Sequence, residues 1–156
     1  MRYKLLILTL LFSTTVFAGE NKLDWITFEE AVAASKKNPK LMLIDVYTDW
    51  CGWCKRMDNT TFKDSVMVKF LNDNFYCVKL NAEQKEDIKF GKDTMVYIQS
   101  GKKGVHELAL RLLDGQLGYP AFVILGKKFN RIKIVKGYQK VQTFGPLLEK
   151  LWKENR

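Results

Sequence analysis

The chain has 156 residues, of which 47% are hydrophobic and 13% aromatic, so it can bury a core and does not have the composition of a disordered protein. With only three cysteines it is not a small scaffold held together by disulfides. The formal net charge is +9. Because the lysines occur as scattered pairs and not on one periodic face, we interpret them as solvated surface and expect no nucleic-acid partner.

The first residues are typical of a secretory signal peptide. Arg2 and Lys4 precede an apolar stretch at residues 5–11, and small residues follow at a cleavage position. We predict a signal peptide over residues 1–18, cleaved after Ala18, and a periplasmic or secreted protein. An uncleaved membrane anchor is the alternative, which the short apolar stretch disfavours. Because structural disulfides are normal outside the cytoplasm, an exported cysteine pair would make, break or rearrange them.

The next part of the chain predicts a helix followed by a buried strand. Thr27 can cap a helix over residues 28–37, because Glu30 three residues later completes a capping box. The run 41–47 is apolar at almost every position, as in a strand that helices cover on both faces. Asp45 is the exception within this run.

A cysteine pair with C-x-x-C spacing follows this strand, in the motif WCGWCK. A helix from Trp53 to about Asp58 would place Cys51 at a helix start. Unpaired N–H groups and the helix dipole favour the thiolate there and lower the pKa of the thiol. Since a thiolate is the form that attacks disulfides, we predict that Cys51 is an exposed nucleophile. Cys54, one turn further, would then attack Cys51 and release the reduced substrate.

Two other readings of the cysteine pair remain open. One is half of a zinc site, which we disfavour because the remaining candidates, Cys77 and His106, do not form a ligand pair. The other is a purely structural disulfide. We therefore predict no metal. Cys77 fits a small buried core residue on a strand, and His106 fits a surface residue near a helix start.

The remainder of the chain predicts alternating helices and strands. Residues 101–104 are expected to form a loop, and residues 73–74 a turn. Further helices are predicted over residues 65–72, 105–113 and 141–155. Further strands are predicted over residues 75–81, 121–125 and 131–135. Residues 88–90 and 95–98 are predicted to pair as a small hairpin.

Several residues at characteristic spacings resemble the thioredoxin-like superfamily, and more narrowly the exported bacterial thioredoxin-fold proteins with a WCGWCK motif. The matching positions beside the cysteines are Asp45, Lys79, Tyr119, Pro120 and Gly137. The resemblance implies an α/β thioredoxin fold, with a central mixed β-sheet flanked by helices, in one domain over residues 19–156. The interval before Pro120 is longer than in compact thioredoxins, so we expect an insert at about residues 82–118 before a cis-proline loop.

The residues around the cysteines suggest individual roles. Burial in an apolar strand should raise the pKa of Asp45, so that it can act as general base toward Cys54, a role that the resemblance also implies. The alternative is a partly exposed acid at a strand end. Lys79 would lie near Asp45 or, alternatively, face solvent. The resemblance implies that Tyr119-Pro120 is a cis bond whose loop pairs with a bound peptide; the sequence alone shows a turn.

Trp50 and Trp53 flank the first cysteine. We predict that their indoles form an apolar contact surface for substrates, with ordinary packing as the alternative. Trp53 also lacks the positive charge with which a histidine at that position could stabilise the thiolate. This difference favours a reductase over a strong oxidase.

Together these inferences predict an exported thiol–disulfide oxidoreductase that reduces protein disulfides through a CxxC dithiol/disulfide cycle. It would be a monomer without a bound cofactor, acting on disulfide-bearing exported proteins. Its electrons would come from a thiol donor, for which a membrane disulfide reductase is a candidate. A disulfide isomerase or an oxidase of the same fold is an alternative, although bacterial isomerases carry a dimerisation domain for which we expect no room. A non-catalytic binding module is the alternative from another class.

Overall fold

The computed structural model of the chain describes residues 22–101 and 103–156. The predicted signal peptide, residues 1–18, lies outside these residues. Among the helices that are described, none combines the length and the apolar run that a membrane crossing requires.

The described residues form nine β-strands, five α-helices and one 3₁₀ turn. The strands are β1 (Trp25–Ile26), β2 (Leu41–Tyr47), β3 (Phe75–Asn81), β4 (Ile88–Phe90), β5 (Asp93–Met95), β6 (Tyr97–Ser100), β7 (Lys103–His106), β8 (Ala121–Leu125) and β9 (Arg131–Lys136). The helices are α1 (Phe28–Lys37), α2 (Gly52–Asn59), α3 (Ser65–Asn74), α4 (Glu107–Leu112) and α5 (Val141–Asn155), and the 3₁₀ turn is Thr61–Lys63.

Five strands form a mixed sheet in the order β1-β3-β2-β8-β9. β3 is parallel to β1 and to β2, whereas β8 is antiparallel to β2 and to β9. Helices cover both faces of this sheet, so the chain has the predicted thioredoxin fold. The central strand β2 is the one that leads directly into the cysteine pair.

Side chains of β2 alternate between two hydrophobic cores, because successive residues of a strand point to opposite faces of the sheet. Met42, Ile44 and Val46 belong to the core that α1 and α4 cover. Leu41 and Leu43 belong to the core that α2, α3 and α5 cover. Every one of these side chains is at most 1% exposed, which explains why the strand is apolar throughout.

The start of α1 follows the sequence prediction. The Thr27 hydroxyl accepts a hydrogen bond from the Glu30 N–H at 3.2 Å, and the Glu30 carboxylate accepts one from the Thr27 N–H at 2.7 Å. This reciprocal pair is a capping box and satisfies two backbone donors that the first helical turn leaves free.

Residues 82–118 hold two small hairpins and α4, and here the sequence prediction needs correction. β4 pairs with β5, at residues 93–95, and not with residues 95–98. Residues 97–100 instead pair with residues 103–106, in a hairpin where a loop and a helix start were expected. Gly104 permits this pairing, because a Cβ at that position would collide with the Tyr97 ring.

His106 lies at the end of this second hairpin and is fully buried, so the prediction of a surface residue was wrong. Its Nδ1 accepts a hydrogen bond from the Leu108 N–H at 3.2 Å, which caps α4. Its Nε2 lies 3.2 Å from the carbonyl oxygen of Glu86. Burial is tolerated because both ring nitrogens have partners. As a result α4 begins at Glu107 and not at Val105.

Two smaller expectations concern α3 and β3. Helix α3 continues through Asp73 and Asn74, which were expected to form a turn, and Asp73 pairs with Lys69 at 2.9 Å along the helix. Cys77 on β3 is 2% exposed, as predicted for a core residue. Burial raises the pKa of the Cys77 thiol, so this thiol stays protonated at neutral pH.

Candidate active site

Cys51 and Cys54 are joined in a disulfide at the amino end of α2, with their Cα atoms 5.3 Å apart. Cys51 is the N-cap residue of this helix, and its Sγ accepts a hydrogen bond from the Cys54 N–H at 3.1 Å. The Cys51 N–H in turn donates to the Thr48 carbonyl oxygen at 3.1 Å. The first sulfur therefore lies where the free N–H groups and the dipole of a helix stabilise negative charge.

Both sulfur-bearing residues are buried in this disulfide form. Cys51 is 4% exposed and Cys54 is 2% exposed. The expectation that Cys51 is exposed was therefore wrong for the oxidised protein. A helix start lies close to solvent as a rule, but here the Cys51 sulfur is turned toward the helix and bonded to Cys54, one turn inside it.

Trp50 is 61% exposed beside this disulfide, and contacts from three parts of the chain hold it. Its indole N–H donates to both carboxylate oxygens of Glu83, at 3.0 Å each. Its ring meets the Tyr119 ring edge to face, with centroids 5.9 Å apart. The Lys103 ammonium lies 5.4 Å from its centroid. Trp50 is thus a fixed surface residue and is not packed in the core.

Trp53 is 55% exposed on α2, next to the disulfide. Its ring centroid lies 5.5 Å from that of Tyr138. The guanidinium carbon of Arg56 lies 5.3 Å from the Trp53 centroid and 5.4 Å from the Tyr138 centroid. Both tryptophans next to the cysteines therefore present aromatic surface to solvent, and a cation lies over each ring.

The loop before β8 reaches the same region. The Tyr119–Pro120 peptide bond is cis, and the Tyr119 ring contacts Trp50. The Pro120 carbonyl oxygen accepts a hydrogen bond from the Gly137 N–H at 2.8 Å. Gly137 has φ +79°, a backbone conformation that glycine adopts without strain. Of these sequence positions, Tyr119 therefore contacts Trp50, while Pro120 and Gly137 are hydrogen-bonded to each other.

A buried acid lies beneath α2. Asp45 has the same parity along β2 as Leu41 and Leu43, so it points to the face of the sheet that α2 covers. Its carboxylate Oδ2 accepts a hydrogen bond from Lys79 Nζ at 2.7 Å, across the β2–β3 pair. The side chain of Asp45 is 1% exposed, which excludes the alternative of a partly exposed acid.

Lys79 also binds a second carboxylate, that of Asp58, with Nζ 2.5 Å from Oδ1. Side-chain exposure increases along this trio, from 1% for Asp45 to 21% for Lys79 and 40% for Asp58. Sequence reasoning missed Asp58. Its spacing was the available signal, because Asp58 follows Cys54 by four residues and so lies on the same face of α2.

The trio shifts the protonation of its members. Burial raises the pKa of Asp45 to about 6, even though the Lys79 ammonium acts to lower it, and the Asp58 carboxylate adds to the rise. Burial acts to lower the pKa of Lys79, but the two carboxylates outweigh it and raise that pKa. Among the described residues, Asp45 Oδ1 has no hydrogen-bond partner. A carboxyl group that titrates near neutral pH can accept a proton during a reaction.

The trio reaches solvent at a cavity of about 440 Å³, which Lys79 and Asp58 line together with Trp25 and Phe62. The Lys79 ammonium lies 4.7 Å from the Trp25 ring centroid. The rings of Tyr47 and Phe62 also lie near this ammonium, which donates to the two carboxylates. Within the described part of the chain, no group of three or more side chains is arranged to hold a metal ion.

The mixed sheet and the CxxC disulfide at the start of α2 define a thioredoxin-like protein, the class that contains the thiol–disulfide oxidoreductases. The chain belongs to the family whose description is "Thioredox_DsbH: Protein of unknown function, DUF255", and the family model matches residues 15–136.

Relatives share the sequence over about half of the chain. Spermatogenesis-associated protein 20 of Mus musculus is 31% identical over 85 residues, which are 54% of this chain and 10% of the relative. Thiol:disulfide interchange protein DsbD of Campylobacter jejuni is 28% identical over 100 residues, which are 57% of this chain and 18% of the relative. The chain therefore matches less than a fifth of the length of either relative.

A solved structure extends the likeness to most of the fold. The structure described as "DsbH Oxidoreductase" superposes with a TM-score of 0.60 and covers 93% of this chain and 94% of its own, at 19% sequence identity. At that identity the likeness supports the fold.

Proposed function

We propose that the protein is a thiol–disulfide oxidoreductase that reduces disulfides in other proteins. The observation that carries this proposal is the position of Cys51: its sulfur accepts a hydrogen bond from an N–H at the start of α2 and is already bonded to Cys54. A sulfur held in this way is stabilised as a thiolate once the bond is reduced, and a thiolate attacks disulfides. The name of the Campylobacter relative, a thiol:disulfide interchange protein, agrees with this chemistry.

The cycle begins with the reduced protein. The Cys51 thiolate attacks one sulfur of a substrate disulfide, so a mixed disulfide forms and the other substrate sulfur leaves as a thiolate. Asp45 then takes the proton of the Cys54 thiol, and Cys54 attacks Cys51. The second substrate sulfur is released, and two electrons have moved from the protein to the substrate. Lys79 lies 2.7 Å from Asp45 and in this role sets how readily Asp45 ionises.

The residues around the disulfide would bind the substrate. Trp50 and Trp53 offer exposed aromatic surface on both sides of Cys51. Tyr119 and Pro120 belong to a loop that contacts Trp50 through the Tyr119 ring. An extended substrate segment could pair with the backbone of this loop while its disulfide meets Cys51.

The direction of the reaction and the setting are further parts of the proposal. We favour reduction because Trp53 brings no charge that would stabilise the thiolate further and make the protein a strong oxidant. The protein would be exported through the signal peptide at residues 1–18, with residues 19–156 as one monomeric domain. Disulfide-bearing exported proteins would be its substrates, and a membrane disulfide reductase would return it to the dithiol form.

Reduction of insulin by dithiothreitol, followed as turbidity, tests the activity. The wild-type protein should accelerate precipitation, and Cys51→Ser should abolish the acceleration. Cys77→Ser is the matched control, because Cys77 is a buried cysteine outside the pair, and it should keep the activity. Equal rates with wild type and Cys51→Ser would overturn the proposal and favour a binding module.

The reduction potential of the cysteine pair tests the direction. Equilibration with glutathione buffers should give a value near that of thioredoxin, about −270 mV, if the protein is a reductase. A value near about −120 mV would mark it as an oxidase and contradict this part of the proposal.

A further inference from the structure

Two cations flank the disulfide, and each lies over one of the exposed indoles. On one side the Lys103 ammonium is 5.4 Å from the centroid of the Trp50 ring. On the other side the Arg56 guanidinium is 5.3 Å from the centroid of the Trp53 ring. We call Lys103 and Arg56 the cationic rim. A cation over an aromatic face is attracted by the ring, so both charges have a preferred position beside the cysteines.

The two members of the rim come from distant parts of the chain. Arg56 lies on α2, two residues after the second cysteine of the pair. Lys103 begins β7, in a hairpin of the segment between β3 and β8. The carboxylate of Glu83, from the same segment, binds the edge of the Trp50 indole while Lys103 lies over its face. The segment therefore both fixes Trp50 and brings a positive charge to it.

The rim charges are available to a ligand. Both side chains are exposed, and neither forms a salt bridge with any other residue that the structure describes. Lys55, next to Arg56 in α2, is a further exposed cation.

We propose that Lys103 and Arg56 are specificity-determining residues that select substrate disulfides with carboxylates close to the sulfurs. The inference rests on the proposed function and names the substrate class of that same site. Opposite charges on the two partners raise the rate of encounter and favour the orientation in which the substrate disulfide meets Cys51. Substrates with cations beside their disulfides are disfavoured by the same charges.

Three small symmetrical disulfides of similar size but different charge serve as probes of this preference. These probes are 3,3′-dithiodipropionate with two negative charges, bis(2-hydroxyethyl) disulfide with none, and cystamine with two positive charges. In each case the Cys51 thiolate displaces one small thiolate, and the Cys54 thiol, as its proton leaves, displaces the second. The protein becomes the disulfide, and two molecules of the small thiol are formed. The measured quantity is the ratio of the rate constants for the anionic and the cationic probe.

Variants of the rim should change this ratio, and comparison with wild type removes the intrinsic reactivities of the probes. Lys103→Gln and Arg56→Gln should each lower the ratio about three- to tenfold at low salt, and the effect should shrink in about 0.5 M salt. Lys103→Arg should retain the wild-type ratio. Lys92→Gln is the control, an exposed lysine in the β4–β5 turn, and should leave the ratio unchanged.

The probes distinguish failure of the inference from failure of the proposed function. A ratio that stays at the wild-type value in both Lys103→Gln and Arg56→Gln would overturn the inference, as would an equal fall in Lys92→Gln. If the reduced wild-type protein failed to react with the neutral disulfide, the proposed function itself would be wrong, and the inference would fall with it.

Discussion

The ammonium of Lys79 lies 2.7 Å from the buried carboxylate of Asp45, in neighbouring parallel strands of the central sheet. A carboxylate that is 1% exposed would be very costly to ionise alone. Lys79 reduces that cost without removing it, because the pKa of Asp45 is still raised to about 6. The acid is therefore set to change its charge near neutral pH, where a general base is most useful.

The raised pKa of Asp45 predicts how stability depends on pH. An unfolded aspartate has a pKa of about 3.9, so between about pH 4 and pH 6 the folded protein holds a proton that the unfolded chain has lost. The Asp45 contribution to stability is therefore lost as pH rises through this window. Relative to Asp45→Asn, the free energy of unfolding of the oxidised wild-type protein should fall by about 2–3 kcal/mol between pH 4 and pH 7.5.

Urea unfolding of both oxidised proteins at a series of pH values measures this difference. Asp73→Asn serves as control, because Asp73 is exposed on α3 and should follow the wild-type curve. Curves for wild type and Asp45→Asn that stay parallel from pH 4 to pH 7.5 would show that Asp45 titrates normally.

Asp58 and Lys79 should move the pKa of Asp45 in opposite directions. The Asp58 carboxylate raises this pKa, so Asp58→Asn should lower it. The acid limb of the pH–rate profile for insulin reduction should then shift to lower pH. The Lys79 ammonium lowers the same pKa, so Lys79→Met should raise it and shift the limb to higher pH. Titration of the Asp45 carboxyl carbon by NMR and the pH dependence of insulin reduction should agree. Shifts of the same sign in both variants would contradict the charge arrangement.

Trp50 should contribute to substrate binding more than to the chemical step. Its exposed indole is fixed by Glu83 and Tyr119, so it offers an ordered surface beside Cys51. We expect Trp50→Ala to raise KM for insulin several-fold and to change kcat less. Val66→Ala is the control. It shortens an exposed apolar side chain on α3, at a residue that is 77% exposed, and should leave both constants unchanged. A lower kcat with an unchanged KM would show instead that Trp50 acts in the chemical step.

Gly104 should be required for the hairpin that carries Lys103. A Cβ at this position would collide with the Tyr97 ring, so the hairpin would have to shift. We expect Gly104→Ala to lower the free energy of unfolding by about 1–3 kcal/mol, as overpacking does elsewhere. Gly118→Ala is the matched control, because a Cβ there meets no atom of residues 22–101 or 103–156 within 4 Å. Equal stabilities of the two variants, measured by urea unfolding, would contradict this close approach.

The sequence was most informative where a local pattern determines the structure. The capping box at Thr27, the apolar run around Asp45 and the helix start at Cys51 all depend on residues within a few positions of one another. The central mixed sheet and its flanking helices were expected from the apolar run of β2 and from the resemblance to thioredoxin-like proteins. The resemblance put Lys79 near Asp45, and the structure has the two side chains in contact across the paired strands β2 and β3.

The sequence was least informative where contacts between residues far apart in the chain determine the structure. Asp58 has a helical spacing from Cys54, but its contact with Lys79, 21 residues away, is what joins it to the site. His106 looked like a surface residue because one of its partners, the Glu86 carbonyl oxygen, lies 20 residues earlier. The second hairpin was missed because its strand pairing outweighs the weak helical pattern after Gly104. Cys51 is buried because its sulfur bonds inward, which a helix start alone does not reveal.

The proposed cycle depends on the reactivity of the Cys51 sulfur, which trapping of a mixed disulfide measures. Reduced Cys54→Ser protein, treated with bis(2-hydroxyethyl) disulfide and analysed by mass spectrometry of its peptides, should accumulate one mixed disulfide, on Cys51. Cys51→Ser treated in the same way should accumulate none over the same time. No adduct on Cys51, or an adduct that forms faster on Cys77, would contradict the assignment of Cys51 as the nucleophile.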